Sequence, residues 1–169
     1  TFSKVLQEIS PDIIHFLDQP HADIIEMAVS KYPCVLTAPT VAPTCPASHR
    51  LTNDSGVCDK GSGWSCLLQN KQLHCLNGFK TDLHRYHVIY EFQSKRKATQ
   101  KMKAIIAISR YVEEKLLQNG FTESQVKLIY NPLPKMANVE QMAHSKPLLV
   151  SACRLVPLKG IEYAIRALK

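Results

Sequence analysis

The sequence predicts an α/β protein in which a parallel sheet is flanked by helices. Three observations carry that prediction. Short apolar runs of strand type alternate with amphipathic runs of helical length, and such alternation implies parallel pairing through crossover connections. The strand-type runs end in loops built from Pro, Ser, Asp and Thr, at the end of an open α/β sheet where ligands bind. Near the C-terminus a fifth run of this kind, Leu148 to Ala152, leads into a loop carrying Arg154 and Lys159 and then into a helical pattern.

Taken in order, Phe2, Val5, Leu6 and Ile9 follow helical spacing. Pro11 ends that helix, because proline disfavours helical geometry in the residue before it. Asp12 to Leu17 reads as a short buried strand. A second helix is expected over about His21 to Ser30, with Ile24, Ile25, Met27 and Ala28 apolar, and the next strand over Tyr32 to Ala38. Together these make a Rossmann-like layer.

Residues 39–78 break the rhythm with three prolines, four glycines and four of the six cysteines. An irregular stretch of that length in a compact domain is functional or locally stapled. Helical character returns from Asp82 to Met102, followed by a central strand over Lys103 to Ile108. Ser109 is placed to cap the next helix, with Glu113 and Glu114 near its positive end. Gly120 stops it after Asn119. Val126 to Tyr130 is a strand closed by Asn131-Pro132-Leu133-Pro134, and the two prolines mark a boundary. The expected organisation is an N-terminal domain over 1–134 that lacks its first strand or strands. A linker over 135–146 and the truncated start of a second domain over 147–169 follow.

The 169 residues are 45% hydrophobic and 21% charged, with no low-complexity tract, which argues against disorder. The net charge of +7 suits phosphorylated small molecules, polyanions or an anionic membrane face. Lys95, Arg96, Lys97, Lys101 and Lys103 hold part of the excess, read first as a solvated helix face and second as a membrane-surface contact. Nucleic acid is disfavoured, because no aromatics are interleaved with the charge. No apolar run approaches the roughly 20 residues needed to span a bilayer. The expected location is cytoplasmic, with membrane-peripheral contact as one use of the basic surface.

Two fixed cations beside a helix N-terminus suit a phosphate-bearing ligand, so Arg154 and Lys159 are the strongest candidate binding residues. His15, Asp18, His21 and Asp23 crowd the loop after the first strand. His15, Thr40, Ser109 and Asn131 are candidate cleft-lining residues. His84, Tyr86 and His87 read as helix surface. Cys45, Cys58, Cys66 and Cys75 are separated by 12, 7 and 8 residues, with no C-x-x-C pair. Three states stay open for them: a structural zinc ion, disulfides, or unlinked thiols, with a reducing cytoplasm counting against disulfides.

Ile108-Ser109-Arg110-Tyr111-Val112 with Gly120-Phe121, then Val126 to Pro132, then Cys153-Arg154-Leu155-Val156-Pro157-Leu158-Lys159-Gly160 resembles, in that order, the family 4 glycosyltransferases. The resemblance implies the N-terminal half of a GT-B fold, in which two Rossmann-like domains face each other. It implies sugar transfer from a nucleoside diphosphate sugar to an acceptor hydroxyl with retention of configuration. No bound metal is required for the family reaction. The acceptor would be a polysaccharide or lipid-linked glycan intermediate. It also implies that Arg154 and Lys159 bind the donor diphosphate. Fixed cations there stabilise the charge that the leaving group gains.

The sequence departs from the family at Thr37-Ala38-Pro39-Thr40, where Pro39 stands in the place of the family histidine and Thr40 in that of an acidic residue. No catalytic residue is assigned, and the chain alone is expected to be inactive. Two alternatives accompany this reading: another GT-B enzyme such as a UDP-sugar epimerase, and a non-catalytic binding or scaffold relative.

Overall fold

The computed structural model describes residues 2–52, 56–76, 78–133, 148–156 and 159–168. The chain divides into two compact units, Thr1–Pro132 and Leu133–Lys169.

The first unit is an α/β layer with one four-stranded, wholly parallel sheet. Its strands are β1 (Ile14–Phe16), β2 (Cys34–Ala38), β3 (Ala104–Ala107) and β4 (Val126–Leu128), in spatial order β1-β2-β3-β4. Helix α1 (Phe2–Ile9) precedes β1. Helix α2 (Ala22–Val29) connects β1 to β2, and α3 (Ser65–Leu73) and α4 (Asp82–Thr99) lie between β2 and β3. Helix α5 (Arg110–Gln118) connects β3 to β4. Parallel strands cannot be joined by tight hairpins, so each connection carries at least one helix.

Side chains alternate across a strand, and here the alternation decides which face is closed. Phe16, Leu36, Ile105 and Val126 are in register across all four strands. Leu36, Ile105 and Val126 belong to the main core, with Ile25 and Ala28 of α2, Ala98 of α4, and Val112 and Leu116 of α5. The other face carries His15, Val35, Thr37, Ala104 and Ile106, and is only partly covered. Loop ends are held by named bonds. The Gln125 side-chain amide donates to the carbonyls of Gln100 and Met102 at 3.1 and 2.7 Å, closing the turn before β3.

Two local expectations need correction. Residues 39–78 are not unstructured throughout, because a 3₁₀ turn at Ala42–Thr44 and α3 form within them. α3 has scarcely any apolar face: Leu68 is exposed, and Cys66 and Asn70 are its buried residues. Hydrophobic periodicity therefore did not announce it.

The second correction concerns the second unit. There α6 (Ile161–Ala167) forms, but Leu148 to Ala152 is not a strand. Leu148, Leu149 and Val150 are largely exposed. A parallel strand needs a neighbour for its backbone bonds, and the described residues of this unit supply none. The expected linker over 135–146 lies outside the described residues.

Candidate functional site

A cleft of about 510 Å³ opens where β1 and β2 end. Asp18 and Gln19 enter it from the loop after β1, Thr40 from the loop after β2, and Cys45 and Pro46 from the insertion that follows. The opposing wall is α4, whose His87, Glu91 and Lys95 recur every four residues and so share one face. This is the carboxyl end of a parallel sheet, where the backbone of successive loops diverges and leaves room for a ligand.

The charges of the cleft meet at Glu91. Its Oε2 lies 3.9 Å from His21 Nδ1 and 4.0 Å from Lys95 Nζ. That oxygen is shielded from solvent and accepts no hydrogen bond. A sealed carboxylate oxygen without a donor is costly unless something donates to it. Gln19 is fixed for its part, since its amide donates to Thr99 Oγ1 at 2.8 Å, and Thr99 in turn donates to the Lys95 carbonyl at 2.7 Å.

The sequence-derived candidates are distributed over several places. Thr40 lines the cleft, and its hydroxyl accepts the Ala42 N–H at 3.2 Å. Pro39 is exposed next to it. His15 lies on the half-covered sheet face, where its Nε2 bonds the Thr37 hydroxyl at 2.8 Å, and it is not among the residues lining this cleft. Ser109 caps α5, accepting the Val112 N–H at 3.3 Å. Asn131 is exposed beyond β4. In the second unit Arg154 and Lys159 are both exposed.

The basic run is not simply a solvated face. Lys95 lines the cleft, Lys101 pairs with Glu26 at 2.5 Å, and Arg96 donates to the Ser62 carbonyl at 3.1 Å and to that of Asn119. Lys97 and Lys103 remain exposed. The helix-surface expectation for His84, Tyr86 and His87 agrees with the structure, since all three are exposed on α4, and each has a neighbour there. His84 meets the edge of Phe79 at 5.0 Å, Tyr86 packs on Trp64 at 5.1 Å, and His87 lines the cleft.

The insertion that forms one wall is organised by a residue that sequence reasoning missed. Arg50 is 2% exposed. Its guanidinium donates to the carbonyls of Thr44, Cys58 and Lys60 at 2.8, 3.0 and 2.7 Å, and to Ser62 Oγ at 3.2 Å. Ser62 itself donates to the Thr44 carbonyl at 2.5 Å. The planar fork of arginine suits several acceptors at fixed angles. Gly63, with φ +151°, brings the insertion against α4, where an added Cβ would lie 2.8 Å from the Gln93 amide.

An ion pair ties the same insertion to α5. Lys115 is 7% exposed at its side chain and donates to Asp59 Oδ1 at 2.6 Å. That hydrogen bond, then the charge of Lys115, holds the Asp59 carboxyl below its usual range, and Arg50 acts in the same direction. A carboxyl depressed on folding contributes stability above the ordinary aspartate value of about 4 and loses it as pH falls through the lowered value. Asp59→Asn is therefore expected to lower the melting temperature at neutral pH. The two melting curves should converge as the pH is taken down to about 2. A constant difference across that range would show that the charge of Asp59 is irrelevant.

No family model, curated protein or solved structure matches the chain. Among the described residues, no helix is long and apolar enough to cross a membrane.

Proposed function

We propose that this chain is part of a GT-B glycosyltransferase of the family 4 type, with the first unit as its acceptor-side domain and the second as the start of its donor domain. In this reading, a sugar passes from a nucleoside diphosphate sugar to a hydroxyl of a glycan or lipid-linked glycan. The observation that carries the reading is the cleft at the carboxyl ends of β1 and β2 in a parallel sheet. Its lining suits a polyhydroxylated ligand. Glu91 and Asp18 can accept hydroxyl hydrogens, while Lys95 and the two histidines can donate or carry positive charge.

Arg154 and Lys159 are assigned to the donor diphosphate. Arginine can grip two phosphate oxygens at once and lysine adds a point charge. No metal is required for this chemistry, because the two cations take up the leaving-group charge. Peripheral contact with an anionic membrane would rest on Lys97 and Lys103, two exposed members of the basic run. The work would be done on the cytoplasmic side, where nucleotide sugars are substrates. Pro39 supports a second reading, a non-catalytic binding relative, since a proline beside the cleft can neither donate a backbone hydrogen bond nor replace an imidazole.

Turnover of nucleoside diphosphate sugars by the protein that contains this chain tests both readings. Arg154→Ala and Lys159→Ala are each expected to lower kcat/KM by about 10- to 100-fold, the worth of one charge-assisted phosphate contact. Equal turnover in all three proteins overturns the phosphate assignment. Donor binding without any turnover favours the non-catalytic relative, and turnover without acceptor that inverts a sugar centre points to an epimerase.

A further inference from the structure

Helices α3 and α4 each turn one face inward and leave another uncovered. α3 buries Cys66 and Asn70, and α4 buries Ile89 and Phe92. The opposite face of α4 carries Leu83, Tyr86, Tyr90 and Lys97, spaced by three, four and seven residues and so in one stripe. Trp64, at the N-cap of α3, forms a second stripe with Leu68 and Lys71, at intervals of four and three residues. The Trp64 and Tyr86 rings lie 5.1 Å apart, which joins the two stripes into one surface. Leu68 and Leu83 are 72% and 79% exposed there, and Trp64, Tyr86 and Tyr90 are close to half exposed.

We propose that this surface docks the protein on an anionic lipid bilayer. Trp64, Leu68, Leu83, Tyr86 and Tyr90 enter the headgroup layer, and Lys71 and Lys97 meet the lipid phosphates. Single apolar side chains on a surface need no explanation, but a contiguous group of five marks an interaction site. Its composition points to the partner. Trp and Tyr favour the bilayer interface, where the ring meets the acyl chains and the polar tip stays wet. Helices that lie in that plane pair such residues and leucine with lysine.

Charge points the same way. Residues 64–97 hold six Lys or Arg and two carboxylates. Both carboxylates are already paired, Asp82 with Arg85 at 2.6 Å and Glu91 with Lys95 at 4.0 Å. Lys71, Lys80 and Lys97 are exposed, and among the described residues none of them has an ion-pair partner. That excess is drawn to anionic lipid. It opposes docking of a second copy of the chain, which carries the same +7 charge. A neutral glycan would stack on the rings but would leave Leu68 and Leu83 in water.

Docking brings the cleft to the membrane. His87 and Glu91, which line it, directly follow Tyr86 and Tyr90 in α4, so they lie on the adjoining face of the same helix. A ligand carried on a lipid would reach the cleft without leaving the bilayer. This last step rests on the lipid-linked acceptor of the proposed function; the docking itself does not.

The chain contains a single tryptophan, so Trp64 emission reports on this surface alone. The whole chain is mixed, at low salt and without nucleotide sugar, with phosphatidylcholine vesicles containing about one third phosphatidylglycerol. Trp64 emission should move to shorter wavelength and be quenched by brominated acyl chains, and the protein should sediment with the vesicles. Added salt should release it. Vesicles of phosphatidylcholine alone should bind at least about tenfold more weakly. Leu83→Ser combined with Tyr90→Ser should weaken binding by about tenfold or more, and Lys71→Glu combined with Lys97→Glu by a similar factor. Tyr130→Ser, at an exposed tyrosine just beyond the edge strand β4, should change nothing.

No emission shift and no sedimentation with the anionic vesicles overturns the proposal. So does binding that survives both double variants. A shift produced instead by a soluble polysaccharide, or by self-association of the protein, overturns it as well. The wild-type emission decides the matter even if a variant fails to fold. Vesicle binding without sugar turnover removes the transferase reading and keeps this one, and turnover without vesicle binding does the reverse.

Discussion

Ile105→Ala is expected to lower the unfolding free energy by about 3–5 kcal/mol, in the upper part of the range for a large aliphatic side chain cut to alanine. Ile105 is fully buried in β3, between Leu36 of β2 and Val126 of β4 in register. It belongs to one core cluster with residues of α2, α4 and α5, so the space left behind cannot collapse onto one mobile neighbour. The cost therefore includes the cavity as well as the lost burial. Backbone geometry need not change, because the Ile105 N–H still donates to the Gln125 carbonyl at 2.9 Å. Denaturant unfolding should show a lower midpoint with an unchanged slope. Ile129→Ala, more than half exposed just beyond β4, is the control and should cost under about 1 kcal/mol. Equal effects at the two positions would mean that β3 is not the centre of the core.

The second large effect is expected at Arg50. Arg50→Ala removes the donor for three carbonyls and one hydroxyl. Each charge-assisted bond is worth about 1.5–3 kcal/mol, and partners left buried and unpaired add their own cost. Water entering the vacated space recovers part of this, so about 3 kcal/mol or more is expected. The loss should be local. Hydrogen exchange should quicken over residues 42–62 while the amides of β2 and β3 stay protected. Arg50 also has φ 53°, a left-handed conformation that costs a residue with a Cβ roughly 1–2 kcal/mol. Arg50→Gly is therefore expected to be about 1 kcal/mol less damaging than Arg50→Ala. The reverse order would show that the left-handed backbone is not retained without the guanidinium.

Much of the fold is legible in the sequence because its signals are local. The strand-type runs containing Leu36 and Ile105, the serine at 109 and the glycine at 120 each name their own structure. The Leu148 to Ala152 run shows where this fails, since a strand is a relation between segments and the described residues of the second unit provide no neighbour for it.

The candidate site was only half readable. His87, Glu91 and Lys95 are spaced to share a helix face, but charged residues at that spacing also describe a solvated surface. Only the position of α4 across from the ends of β1 and β2 makes them a wall. Arg50 gave no signal at all, because its partners are main-chain oxygens, and every sequence contains those.

The connection between β2 and β3 has a temporal meaning as well as a spatial one. It spans residues 39–103, and β3 is the inner neighbour of β2 in the finished sheet. A ribosome adds roughly 5–20 residues per second, so β2 is complete for some 3–13 s before its partner has been synthesised. Through that interval its Cys34, Leu36 and Ala38 have no β3 to cover them, and one row of its backbone donors and acceptors is unpaired. A nascent chain in this condition is the form most open to chaperone capture or to pairing with another copy of itself.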